Sequence, residues 1–69
     1  MTGYKVAKRV NAALKLAGLK EIPPQMVYQY IAKGYIESYD ENGQNLVEMA
    51  AADAWIAKYV AKRHEKANA

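Results

Sequence analysis

The sequence predicts a mainly α-helical domain with a small β-hairpin, ordered helix, turn, helix, two-stranded hairpin, helix. Three observations carry that reading. Apolar residues recur at helical spacing over residues 4–17, 24–33 and 50–64, a glycine stands directly after each of the first two stretches, and Asn42-Gly43 lies between two short segments ahead of the third.

In the first stretch Val6, Val10, Ala13, Leu14 and Ala17 fall at i, i+4, i+7, i+8 and i+11, one face of a helix, whereas Lys5, Lys8, Arg9 and Asn11 fall elsewhere. Thr2 is placed to cap the N-terminus, and Gly18 supplies the left-handed residue after the last turn, with Leu19 folding back in a Schellman-type contact. Lys15 suits the negative end of the helix dipole.

The connection Lys20-Glu21-Ile22-Pro23 cannot continue that helix, because the residue before a proline is pushed toward extended geometry. Pro24 fits the first turn of a second helix, where its missing N–H costs nothing, and the helix runs to Lys33 and stops at Gly34. Val27, Tyr30 and Ile31 share its inner face; Gln25, Tyr28, Gln29 and Lys33 point away. Two helices joined by a short turn form a helix-turn-helix unit.

Segments 35–39 and 44–48 flank Asp40-Glu41-Asn42-Gly43, and Asn-Gly is the strongest short-range hairpin signal, so a two-stranded wing is expected with Ile36 and either Leu46 or Val47 turned inward. A hairpin this small must lean on the helices. From Ala50 to His64 the positions Ala52, Trp55, Ile56, Tyr59 and Val60 give a third helix with one packed face, Trp55 being its expected anchor, and residues 65–69 form a flexible tail. One domain over residues 1–64 accounts for the chain.

Composition bounds the function. Sixty-nine residues are too few for a second domain or a large enzyme with a deep cleft, and more than a third of the 52% hydrophobic content is alanine, so the core is thin. A single core of this size supplies about 3–5 kcal/mol of net stability. With no cysteine and one histidine the chain has neither disulfides nor thiolate metal ligands, and no metal or cofactor is expected. Apolar runs end well short of the roughly 18 residues of a membrane span, and Met1 to Arg9 lacks the apolar stretch of a signal peptide, so a soluble cytoplasmic protein is expected, with no membrane partner.

Charge is unevenly placed. Residues 1–20 carry Lys5, Lys8, Arg9, Lys15 and Lys20 and no acid; residues 21–56 carry Lys33 against Glu21, Glu37, Asp40, Glu41, Glu48 and Asp53; residues 57–69 carry Lys58, Lys62, Arg63 and Lys66 against Glu65. Basic ends brought together in the fold would form one basic face, the footprint of a polyanion partner. The alternative is a solvated lysine-rich surface.

The segment Val27-Tyr28-Gln29-Tyr30-Ile31-Ala32-Lys33-Gly34-Tyr35-Ile36, with Val47 followed eight residues later by Trp55, resembles the winged helix-turn-helix of small phage excisionases and of the DNA-binding half of MerR-type regulators. The likeness covers about residues 25–60. It implies a winged helix-turn-helix fold and a small phage or plasmid protein that binds double-stranded DNA, either as an excisionase directing recombination or as a transcription regulator. Its protein partners would be an integrase or neighbouring copies of itself on DNA. Three departures stand out: Leu19 to Pro23 lengthen the turn, Asp40 and Glu41 occupy wing positions where relatives carry Arg or Lys, and the chain has neither the long coiled coil nor the effector domain of full MerR-type regulators, which favours the excisionase-like or small-regulator reading.

On that reading the second helix, residues 24–33, enters the major groove with Gln25, Tyr28 and Gln29 toward the bases: glutamine bonds adenine bidentately, and the tyrosine ring contacts a thymine methyl or its hydroxyl a phosphate. Lys5, Lys8, Arg9, Lys33, Lys58, Lys62 and Arg63 are the candidates for phosphate contact, and Asn42, Gly43 and Gln44 at the wing tip are placed for the minor groove. Tyr30, Trp55 and Tyr59 lie on apolar faces and read as core rather than stacking platforms.

Catalytic constellations are nearly absent. His64 reads as a solvated residue near a helix C-terminus, Asp40-Glu41 as turn chemistry, and the scattered glycines form no phosphate-cradling loop, so neither an enzyme nor a small-molecule substrate is expected. The competing reading, motivated by the acidic wing, is a protein-interaction module that keeps the winged-helix fold without binding DNA.

Overall fold

The structure, a computed structural model, describes residues 1–67. It consists of α1 (Gly3–Leu16), α2 (Pro24–Ala32), β1 (Tyr39–Glu41), β2 (Gln44–Leu46) and α3 (Met49–Ala67), so the chain is mainly α-helical with a two-stranded antiparallel hairpin between α2 and α3.

Local chemistry sets the ends of the first two helices. The Thr2 hydroxyl accepts from the Lys5 amide at 3.3 Å. At the other end of α1 the Gly18 amide donates to Lys15 and the Leu19 amide to Leu14, at 3.0 and 2.8 Å, with Gly18 at φ +73°, a Schellman closure. The same motif closes α2, where the Gly34 amide donates to Ile31 and the Tyr35 amide to Tyr30, and it turns the chain so that Ile36 drops into the core.

Val6, Val10 and Leu14 are completely buried, and α1 packs against both α2 and α3. Val27 and Ile31 of α2, Ile36, Val47, and Ala52 and Ile56 of α3 close around that stripe, joined by Ala7 and Ile22. Burying an aliphatic side chain of this size contributes about 1.5–3 kcal/mol before the entropy of ordering the chain is set against it. The linker after α1 is tied down by a side chain: Asn11 Nδ2 donates to the Ile22 carbonyl at 2.9 Å and the Ile22 amide donates to Asn11 Oδ1 at 2.8 Å. Met1 and Val47 likewise exchange two hydrogen bonds between their backbone groups, fastening the hairpin's exit to the start of the chain.

Four expectations are corrected. The hairpin turn is the two-residue Asn42-Gly43, both at positive φ (53° and 78°), so Asp40 and Glu41 belong to β1 and pair with Asn45 and Gln44 across the ladder. Residues 35–38 are irregular rather than strand, because the closure at Gly34 uses them to bring Ile36 inward. The second strand segment does turn Val47 inward, as one of its two alternatives required, and leaves Leu46 half-buried. Trp55 does not anchor the centre of the core: it is half-buried at the edge, stacked on Tyr59 at 4.9 Å and 5.6 Å from Tyr30, while Ala52 and Ile56 are the buried residues of α3. Helix α3 also continues past His64 to Ala67; the remainder of the expected tail, residues 68–69, lies outside the described residues.

Candidate nucleic-acid interface

Helix α2 owes its position to Val27 and Ile31, which lock one side of it against α1 and leave the opposite side to solvent. Gln25, Gln29 and Lys33 follow at i, i+4, i+8 as one exposed ridge, Lys33 being the residue at the helix C-cap. Tyr28 is exposed by 47%, and it is not a free-standing polar-face residue: its ring lies over Gly3 of α1 so closely that a Cβ built on Gly3 would come within 2.6 Å of two ring atoms. Gly3 is therefore buried. The tyrosine is held at the edge of the ridge, where it borders a small depression with Thr2, Tyr4, Gln44 and Asn45.

That depression brings the wing to α2. The neutral strand β2, through Gln44 and Asn45, faces Tyr28, while Asp40 and Glu41 lie on β1, the outer strand. The acids of the wing are thus one strand removed from the ridge. Asn42, Gly43 and Gln44 are exposed at the tip, as expected. Lys5 and Lys8 are exposed on α1, and Lys8 Nζ stands 5.1 Å from the centre of the Tyr4 ring, which keeps that ammonium next to the depression.

On the far flank of α2, rings span the gap to α3. Tyr30 lies 5.6 Å from Trp55, 5.9 Å from Tyr59 and 5.9 Å from Tyr35, and each of these residues except Tyr35 is half-buried. Burial, reinforced by Tyr59 and opposed by Arg63, pushes the Tyr30 hydroxyl up from its ordinary value. Beyond the rings, Lys62, Arg63 and Lys66 stand beside Met26, and the half-buried Arg63 donates through Nη1 to the Tyr59 hydroxyl at 2.9 Å.

Two phosphate candidates have surroundings of their own. Arg9 is engaged by Asp53 of α3, its Nη2 donating at 2.7 Å and its Nε at 3.1 Å to the same carboxylate oxygen, so an exposed ion pair joins α1 to α3. Lys58 lines a depression with Glu37, Tyr35 and Trp55, apart from the three cations beside Met26. Helical phase could not show the Arg9 pairing, because Asp53 lies 44 residues away in sequence.

Residues that sequence reasoning passed over are Tyr4, Met26, Asn45 and Lys66. Lys66 carried the only usable signal, its i, i+4 spacing from Lys62, and was assigned to the tail. Among the described residues no group of three His, Asp or Glu side chains is placed to hold a metal, and no helix is long and apolar enough to cross a membrane. An open, alanine-lined depression between α1 and α3, with Ile56, Val60, His64 and Glu65, lies on the side away from the α2 ridge. The chain matches no protein-family model, no curated protein and no solved structure.

Proposed function

We propose that this chain is a sequence-specific double-stranded DNA-binding protein of a mobile element, a winged helix-turn-helix excisionase or small transcription regulator, which inserts α2 into the major groove. The observation that carries the reading is the Gln25-Gln29-Lys33 ridge, exposed on the helix side opposite Val27 and Ile31 and bordered by cations from α1 on one flank and α3 on the other. Amide side chains on such a ridge supply paired donors and acceptors for base edges, and the flanking ammonium and guanidinium groups supply phosphate contacts that set register without reading sequence. No catalytic step, cofactor or membrane attachment is part of the proposal.

The test is fluorescence anisotropy with duplexes covering the DNA beside its own gene and any neighbouring integrase attachment site. Binding in the nanomolar to micromolar range with a clear preference for one duplex supports the reading; equal affinity for every duplex and competitor removes it. An adjacent integrase gene then points to excision, and an adjacent divergent promoter to regulation.

A further inference from the structure

The two flanks of α2 differ chemically. On the wing side, Thr2, Gly3, Tyr4, Tyr28, Gln44 and Asn45 line a neutral depression with a single ammonium, that of Lys8, beside it. On the α3 side, Met26, Tyr30 and Tyr59 form the floor of a cleft of about 440 Å³, and Lys62, Arg63 and Lys66 form its rim. None of these six lining residues is acidic.

A helix with side chains is roughly 10–12 Å across and B-DNA's major groove is about 12 Å wide, so a helix seated there meets the groove walls with its flanks. Those walls are sugar-phosphate backbone. Met26 follows Gln25 directly and precedes Gln29 by three residues, which puts the cleft immediately beside the base-reading ridge. A nucleic-acid strand alternates apolar deoxyribose with anionic phosphate, and the cleft pairs a thioether and two phenol rings with three cations. Arg63 is also restrained before any ligand arrives: it donates to the Tyr59 hydroxyl at 2.9 Å, and its guanidinium carbon is 5.7 Å from that ring's centre. A guanidinium held this way loses less side-chain freedom on meeting a phosphate than a free lysine does.

We infer that this cleft seats the backbone of one DNA strand, with Lys62, Arg63 and Lys66 as its phosphate contacts, so that the protein grips its site asymmetrically on the α3 flank of α2. The inference rests on the DNA-binding reading of α2. It adds Lys66 to the contact set and gives the Tyr59 hydroxyl a positioning role through Arg63.

The experiment starts with selection of a preferred duplex from a random library by the unaltered chain, followed by salt titrations and phosphate-ethylation interference on that duplex. Lys62→Gln and Lys66→Gln should each weaken binding to the selected and to random duplexes by the same factor. Each should also reduce the slope of log K against log salt by about one. Interference should include a cluster on one strand at one side of the site, and that cluster should disappear in Lys66→Gln. Tyr59→Phe, which keeps the ring and removes the acceptor of Arg63, should weaken binding less than Arg63→Gln with an unaltered salt slope. Lys20→Gln, on the linker after α1, should leave the slope unchanged, and matching thermal melts exclude unfolding. If the Lys62→Gln/Lys66→Gln double variant keeps affinity, slope and interference pattern on the selected duplex, the cleft is not a backbone seat and the inference is overturned, leaving an acidic peptide as the ligand its chemistry fits. If no duplex is enriched at all, the DNA-binding reading itself fails, a result distinct from the first.

Discussion

Asn11 and Ile22 are joined as two strand residues would be: the side-chain amide of Asn11 donates to the Ile22 carbonyl at 2.9 Å and accepts from the Ile22 amide at 2.8 Å. One side chain therefore satisfies both polar groups of a linker residue whose own side chain is buried, and it sets where α2 begins. Asn11→Ala leaves a part-buried N–H and C=O without partners, at a cost of about 1–3 kcal/mol. Asn11→Asp keeps the acceptor but sets a carboxylate against the carbonyl, and at neutral pH it should destabilise as well. Urea unfolding checks both; midpoints equal to that of the unaltered chain would remove the clamp from the list of stabilising contacts.

Gly3 and Tyr28 make a second prediction, one that changes sign with background. Alanine in a helix is favoured over glycine by roughly 1 kcal/mol. Here its Cβ would press to 2.6 Å from the Tyr28 ring, with Ile31 Cδ1 at 3.2 Å. Gly3→Ala should destabilise the chain with Tyr28 present and stabilise it, or cost nothing, in a Tyr28→Ala background. A double-mutant cycle of unfolding free energies reads the coupling. Additive effects would show that ring and glycine do not touch.

The proposed base contacts and the folding contacts of α2 lie on different faces. Gln29→Ala should cost about 1–3 kcal/mol on the preferred duplex and much less on random DNA, lowering specificity. Tyr30→Ala, which removes the ring shared by Tyr35, Trp55 and Tyr59, should lower the melting temperature first. Unchanged specificity in Gln29→Ala, with loss of specificity in a fully folded Tyr30→Ala, would mean that the groove meets a different face of the helix.

The Arg9–Asp53 pair is exposed, with side chains 43% and 51% accessible, so breaking it should cost no more than about 1 kcal/mol. Its removal from the acidic side has a further effect. Asp53→Asn deletes one negative charge and releases the guanidinium, and binding to all duplexes should tighten at low salt. Arg9→Gln should weaken binding less than Lys66→Gln does, because Arg9 is already paired with Asp53. Anisotropy titrations of the three variants at two salt concentrations settle the order; an Arg9→Gln effect larger than that of Lys66→Gln would mean that the pair opens on DNA.

Stability should fall in alkali with a contribution from Tyr30. Burial, with Tyr59 adding to it, raises the phenol above its ordinary value, so the folded state favours the neutral form. That contribution is complete below the unfolded value of about 10 and is lost as pH rises through the raised folded value. Urea midpoints followed from about pH 8 upward should decline more steeply in the unaltered chain than in Tyr30→Phe, the difference isolating this one tyrosine. Parallel declines would place Tyr30 in water.

What the sequence by itself determined is everything whose cause lies within one turn or one hairpin. Val6, Val10 and Leu14 define a buried stripe by spacing alone, Gly18 and Gly34 close their helices because a left-handed residue is needed there, and Asn42-Gly43 makes a two-residue turn for the same steric reason. The exposure of Gln25, Gln29 and Lys33 follows from the phase that Val27 and Ile31 impose on the same helix. Only the tertiary structure decided which elements meet. Asn11 and Ile22 are 11 residues apart, Arg9 and Asp53 are 44, Met1 and Val47 are 46, and no periodicity links members of such pairs. Polar side chains on an outer face look alike in sequence whether they remain in water or find a partner on another helix. The same holds for the aromatics: Trp55 is the largest side chain in the chain, yet Ala52 and Ile56 are the buried residues of α3, and the indole lies half-buried against the rings of Tyr59 and Tyr30, partners that come together only when α2 and α3 meet.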